Sequence, residues 1–356
     1  MDFSRQEDAG RNIRAAAFIA AAVIIQEDKR YTDMEYSTFT EGGKKVSRFI
    51  VGTMNIVNKD DNEEDFKRLD DALALGINVI DTAMGYGRGT TEIALGKYFE
   101  SRKNRDDVFL ISKCCHPSPW RTRVTTYDME ADLNDALVKM KTDHIDLYML
   151  HRDDPSKPVG PLVETLDKYY RAGKIGAYGA SNWTIERIQE ANDYCRAHGL
   201  KGFSVSSPNY SLAQQYSNPF APGCVSISGP ENAAARQWYE KTQMPVLAWS
   251  SMAGGMMSGR FTREMWKNHP EELPGSIQAY LGEENFTRLE RCEILAKKHG
   301  CEIPQIALAF EIDGPMNVFP ILGAANKAEL QSSLRALDVK LTKEECEYLD
   351  LKRDEI

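Results

Sequence analysis

Four polar residues, Asp81, Tyr86, Lys113 and His151, stand at or just beyond the ends of three apolar runs, and together they form the parts of a proton-transfer site. A tyrosine phenol has a reference pKa of about 10, so at neutral pH it is a poor proton donor unless a neighbouring cation lowers that value. Lys113 is such a cation, and Asp81 is the anion that would keep a buried ammonium charged. Tyr86 would then protonate a carbonyl oxygen during reduction and deprotonate an alcohol during oxidation. His151 would donate a hydrogen bond to the same oxygen, orienting the carbonyl and stabilising developing charge. Singly, each residue has a bland reading as an ion pair or a hydrogen-bonded loop side chain; the joint placement at successive strand ends points to chemistry.

The elements that must position these residues are legible in the hydrophobic pattern. Ile77-Asn78-Val79-Ile80 runs into Asp81, Val108-Phe109-Leu110-Ile111-Ser112 into Lys113, and Ile145-Asp146-Leu147-Tyr148-Met149-Leu150 into His151. Such runs, separated by amphipathic stretches, predict buried parallel strands. Strand-like runs fall at about 48–54, 76–81, 107–113, 144–151, 174–180, 202–206, 244–249 and 316–321. Helical periodicity falls at about 62–75, 90–101, 127–141, 158–172, 184–198, 230–242, 286–299 and 326–336. Eight strands, each followed by a helix, predict a (β/α)8 TIM barrel, a single domain over residues 34–356 with a short N-terminal extension at 1–33. In such a barrel the C-terminal strand ends open onto one face, where residues remote in sequence converge.

A doubly wound open sheet is the structural competitor. Gly85-Tyr86-Gly87-Arg88-Gly89 superficially suggests a dinucleotide-binding turn, but it lacks the full G-x-G-x-x-G spacing, and the next strand ends in Lys113 rather than in an acid for the ribose. The glycines read instead as a tight loop presenting Tyr86. Gly76, Gly173 and Gly199, at helix-to-strand turns, are expected to form left-handed caps.

A net charge of −9 and a pI near 5.4 argue against a nucleic-acid or anionic-membrane partner, which would need a basic surface. Seven dispersed cysteines, an odd number, do not suggest a disulfide framework, and a reducing cytoplasm is the expected location. Cys114-Cys115-His116 has no second cluster with zinc-like spacing, so no metal site is expected. Ala15 to Ile25 is a continuous apolar run of 11 residues, short of the roughly 20 that span a bilayer. Arg5, Arg11 and Arg14 before it resemble a signal peptide, a reading weakened by Asp2, Glu7 and Asp8 and by the lack of small residues at a cleavage point. The remaining readings of this segment are a helix packed on the barrel or on a partner, or a translated extension upstream of a start at Met34. Oligomeric state is not readable.

Asp81-x4-Tyr86, Lys113, and His151 in Leu150-His151-Arg152-Asp153-Asp154-Pro155 resemble the catalytic tetrad of the aldo-keto reductase superfamily. The likeness extends from about Ser47 to Leu349 and includes Gly179-Ala180-Ser181-Asn182-Trp183, Leu247-Ala248-Trp249-Ser250-Ser251-Met252-Ala253-Gly254-Gly255 and Pro304-Gln305-Ile306-Ala307-Leu308-Ala309. The resemblance implies a nicotinamide nucleotide across the barrel mouth, since side chains carry no hydride of their own. On that basis Ser181 and Asn182 would bind its carboxamide and Trp249 would stack on its ring. The loop through Ser250, Met252 and Gly254 would meet the pyrophosphate. Ser207 stands where the family commonly has a glutamine. The stretch from Ile321 through Gly323, Lys327 and Ser333 aligns with the adenosine-phosphate site, where the family often has Arg or Lys and a Glu-Asn pair. With Lys327 the nearest cation, NADP(H) is favoured and NAD(H) is the alternative.

Two long segments are expected to wall the pocket for a small-molecule carbonyl substrate: 114–126, with Trp120, Arg121 and Arg123, and 208–229, with Tyr210, Tyr216, Phe220 and Cys224. Three function classes follow: an NAD(P)H-dependent oxidoreductase acting on an aldehyde, ketone or sugar carbonyl; a nicotinamide-binding redox-sensing or accessory subunit; and a dehydratase or epimerase on the same barrel.

Overall fold

In a barrel strand, alternate side chains point inward and outward, and this parity organises the whole molecule. The computed structural model describes residues 34–218, 220 and 222–356; the readings of the extension at 1–33 lie outside the described residues. Eight parallel strands close into a barrel in the order β10, β3, β4, β5, β6, β7, β8, β9. These are β3 (Ile50–Gly52), β4 (Val79–Asp81), β5 (Phe109–Cys114), β6 (Ile145–Leu150), β7 (Ile175–Ser181), β8 (Ser206–Ser207), β9 (Val246–Ala248) and β10 (Val318–Leu322). Closure through β10 and β3 removes both sheet edges and excludes the open-sheet alternative.

The inward set, Ile50, Val79, Phe109, Ile111, Leu147, Met149, Ala177, Val205, Leu247 and Phe319, forms one buried cluster that fills the barrel. An antiparallel hairpin of β1 (Tyr36–Ser37) and β2 (Val46–Ser47) precedes the barrel. Phe39 in its turn packs edge-on against Phe109 and Phe319, with centroids 5.4 and 5.0 Å away, and so plugs the N-terminal end. The outward set, including Ile80, Leu110, Tyr148, Leu150 and Tyr178, packs in a second cluster with the surrounding helices.

Those helices are α1 (Glu63–Ala74), α2 (Thr91–Arg102), α3 (Thr126–Met140), α4 (Val159–Arg171), α5 (Ile185–Ala197) and α6 (Ala233–Thr242), then α7 (Arg263–Asn268), α8 (Glu283–His299), α9 (Ile303–Asp313), α10 (Lys327–Leu334) and α11 (Lys343–Leu349). In α4, Val159, Leu162, Val163, Leu166 and Tyr169 are buried at helical spacing, while Glu164 and Lys168 face solvent. The caps at Gly76, Gly173 and Gly199 have φ of 87°, 72° and 66°, as expected.

Four points of the sequence reading need correction. The sixth strand pairs only at Ser206–Ser207 rather than over 202–206, because Gly202 turns the chain at φ 81°. Helices α7, α9 and α11 are absent from the sequence reading. In α9 nearly every residue from Gln305 to Ala309 is buried, so no polar face marks a helical period; the sequence-local sign was the capping box of Glu302 and Gln305.

Candidate active site

The site residues continue the inward parity of the strands by one layer. Asp81 follows Val79 by two positions, Lys113 follows Ile111, His151 follows Met149, Ser181 follows Gly179, Ser207 follows Val205 and Trp249 follows Leu247. Each apolar partner in that series except Gly179 belongs to the cluster filling the barrel. Polar groups therefore crown the hydrophobic plug at the C-terminal mouth, with Lys113 paired in register to Met149 and Ser181 to Ser207. Tyr86 arrives differently, on the turn after β4. Gly87 in that turn has φ 54°, and a Cβ there would lie 2.4 Å from the Ile56 carbonyl oxygen, so only glycine lets the turn close under the tyrosine.

The four residues converge. Lys113 Nζ donates to Asp81 Oδ1 at 2.6 Å, to the Thr82 carbonyl at 3.0 Å and to the Tyr86 hydroxyl at 3.2 Å. The His151 ring stands edge-on to Tyr86 with centroids 5.7 Å apart. Asp81, Lys113 and His151 are buried. His151 Nδ1 is a buried polar atom without a partner, which fits a ring that awaits a ligand oxygen or a water.

Burial penalises every charge here, and the partners decide the outcome. Burial raises the Asp81 pKa above its ordinary value, against the opposing charge of Lys113. Burial works against the Lys113 ammonium, but Asp81 and Tyr86 together outweigh it and hold its pKa above the usual lysine value. Burial likewise drives the Tyr86 phenol above 10, with Lys113 pulling it down only in part. This corrects the expectation that the cation would lower the phenol below its ordinary value. Burial, helped by Lys113 and Arg152, pushes His151 well below 6.5, so its ring is neutral at neutral pH.

Around this centre the mouth offers a frame that fits a nicotinamide nucleotide. Asn182 bridges the strand ends: its Nδ2 donates to the Ser181 hydroxyl and the His151 carbonyl, and its Oδ1 accepts from Val225 N and the Trp249 indole. Ser207 donates to the Leu247 carbonyl at 2.8 Å. Cys115, Asn182, Ser250 and Ala253, at the ends of β5, β7 and β9, all have left-handed φ between 51° and 61°. Such conformations are costly away from glycine and collect at binding sites. A Cβ on Gly254 would strike the Ser276 carbonyl at 2.1 Å, so this glycine serves internal packing; Gly255 and Gly323 have open space before them. Met252 is partly buried against the core. Lys327 lies 3.8 Å from Asp71 and is half-exposed, and the Ser333 hydroxyl donates back to the Glu329 carbonyl.

The expected substrate residues divide. Phe220 packs edge-on against Trp249 at 5.5 Å. Trp120 is 85% exposed. Tyr216 donates to Glu284 at 2.7 Å and covers Gly282, so it fastens the long loop after β8 to α8. Arg121 and Arg123 are paired with Asp128 and Asp132. Cys114 and Cys115 are buried in the outer core; among the described residues the one set of three side chains close enough to share a cation is the exposed His269, Glu271 and Glu272.

Sequence reasoning passed over two neighbours of the tetrad. His116 stands edge-on to His151 at 5.0 Å. Arg152, next in sequence to His151, is buried against Cys224. Their adjacency to Lys113 and His151 was the available signal.

The sequence that builds this barrel is matched among known proteins. Residues 48–354 match the sequence model of the Aldo/keto reductase family, and the chain belongs to that family. It is 28% identical to an uncharacterized oxidoreductase, YrpG, of Bacillus subtilis, over 87% of this chain and 93% of the relative. It is also 28% identical to norsolorinic acid reductase B of Aspergillus parasiticus, over 86% of this chain and 80% of the relative. The aldo-keto reductase YhdN of Bacillus subtilis is 25% identical over 84% and 87%. The chain is thus an oxidoreductase by family. Among the described residues no helix is long and apolar enough to cross a membrane.

Proposed function

We propose that this protein reduces an aldehyde, ketone or sugar carbonyl to the alcohol with NAD(P)H. The observation that carries the reading is the Tyr86 hydroxyl held 3.2 Å from the Lys113 ammonium, itself paired to buried Asp81. A bound reduced nicotinamide would supply the hydride. Tyr86 donates its proton to the carbonyl oxygen, and Lys113 stabilises the phenolate left behind. Neutral His151 donates a hydrogen bond to the same oxygen, polarising the carbonyl without adding charge. Because burial keeps the phenol protonated, the free site holds the proton that reduction consumes at neutral pH, with Lys113 offsetting part of the lost acidity; oxidation needs the phenolate and is favoured by alkali.

Ser181, Asn182, Ser207 and Trp249 would hold the nicotinamide, with Ser250, Gly255 and Gly323 along the phosphates. NADP(H) is the favoured cofactor, with Lys327 the cation for the 2′-phosphate. Titration with NADPH and NADH, followed by quenching of tryptophan fluorescence, tests binding. Loss of nicotinamide absorbance with a panel of aldehydes and ketones tests reduction. Binding with turnover supports the reading; binding without turnover favours a redox-sensing or accessory role; a product change without loss of absorbance favours a dehydratase or epimerase.

A further inference from the structure

The arginines expected to greet the substrate are spent on carboxylates, whereas one that was not expected is left over. Arg121 is paired with Asp128 at 2.6 Å, and Arg123 with Asp128 at 3.2 Å and with Asp132. Arg152 has no carboxylate within ion-pair distance among the described residues. Its Nη1 donates to the His151 carbonyl at 2.8 Å and its Nη2 to Cys224 Sγ at 3.1 Å. Its Nε has no partner, and the residue is 6% exposed. Two of the five guanidinium N–H groups are used, and neither acceptor carries a full negative charge.

The charge lies beside the reaction centre. It acts on Tyr86, on His151 and on His116. The rest of the centre balances: Lys113 against Asp81, with His151 neutral. Arg152 therefore leaves the mouth one positive charge in surplus. A guanidinium does not shed its proton, so burial without a counter-charge is a standing cost in the free protein, and an arriving anion would offset it. Gly223 and Cys224, which pack over Arg152, belong to the long segment after β8 that was expected to wall the pocket; a Cβ on Gly223 would meet the Arg152 stem at 3.5 Å.

We propose that Arg152 anchors a carboxylate of the substrate, so that the preferred substrates are carbonyl compounds that also carry an acid group. This rests on the carbonyl-reductase reading. A planar carboxylate matches the guanidinium fork, and a charge-assisted pair of this kind is worth about tenfold or more in binding. The competing role is a strut between His151 and Cys224, which predicts no discrimination between acids and neutral compounds.

The test compares 2-, 3- and 4-carboxybenzaldehyde with their methyl esters, so that no distance from Arg152 to the carbonyl is presupposed. Wild type is expected to prefer at least one acid over its ester by about tenfold or more in kcat/KM, chiefly through KM. Arg152→Gln should collapse that ratio and Arg152→Lys should keep part of it. An unchanged ratio in Arg152→Gln, or no acid preferred by wild type, overturns the proposal. Wild type also decides alone if Arg152→Gln does not fold: benzoate must compete with the aldehyde at least about tenfold better than benzamide, and equal competition sinks the idea. Turnover of acids and esters alike refutes only the role of Arg152, whereas turnover of none of the six overturns the carbonyl-reductase reading and this inference with it.

Discussion

The Nζ of Lys113 stands 3.2 Å from the hydroxyl of Tyr86 and 4.8 Å from the centre of its ring, so one buried cation faces both the oxygen and the π system of the proposed proton donor. Tyr86→Phe keeps the ring and removes only the proton. Turnover should fall by roughly 10²–10⁴-fold, with NADPH affinity little changed in a fluorescence titration. Full turnover in the variant would remove Tyr86 from the proton step. Since the phenol is raised, reduction by wild type should be flat through neutral pH and oxidation should climb with pH; an oxidation rate already maximal at pH 7 would contradict that direction.

Lys113→Met leaves Asp81 buried and alone, which costs about 3–5 kcal/mol. Chemical denaturation should register that loss. The double variant Lys113→Met with Asp81→Leu should recover most of the stability without recovering turnover, because the pair is replaced by apolar contacts while the phenolate keeps no cation. Recovery of turnover would show that Lys113 does not act on Tyr86.

At the far side of the mouth, Lys327→Ala should weaken NADPH by about tenfold or more while sparing NADH. The side chain is half-exposed and only 3.8 Å from Asp71, a weak surface pairing that a phosphate can displace. Equal loss for both nucleotides, measured by the same quenching titration, would take the 2′-phosphate contact away from Lys327.

Glu92 offers a test of the packing behind the site. Its Oε1 accepts from Ser112 at 2.8 Å, its Oε2 is buried without a partner, and burial raises its pKa from 4.5 to about 7. The folded state then binds more protons than the unfolded state between those values. This contribution to stability is complete below pH 4.5 and is lost as pH rises through 7. Glu92→Gln should flatten the fall, leaving the variant about 3 kcal/mol better off relative to wild type at pH 8 than at pH 4. Parallel stability curves for the two proteins across that range would refute the assignment.

How far the sequence carries the argument can be judged residue by residue. Strand ends at Asp81, Lys113 and His151 were legible because buried parallel strands read as apolar runs that stop abruptly at a polar residue. Tyr86 was legible through its glycine turn. Helix α9 was not, since burial on both sides erased its period. The exposure of Trp120 was not legible either, since a residue type in a long loop does not say how far the turn projects it into solvent.

Residue order alone determined the alternation of strands and helices, and with it the inward parity that lifts Asp81, Lys113, His151 and Ser181 onto one mouth. Those are local properties, carried by spacing along the chain. Ionisation was decided only by the tertiary structure, because it depends on the summed burial and charge of groups far apart in sequence: the raised phenol of Tyr86, the neutral His151, and the contrast between Arg123, neutralised by Asp128 and Asp132, and Arg152, whose guanidinium meets only a carbonyl and a thiol.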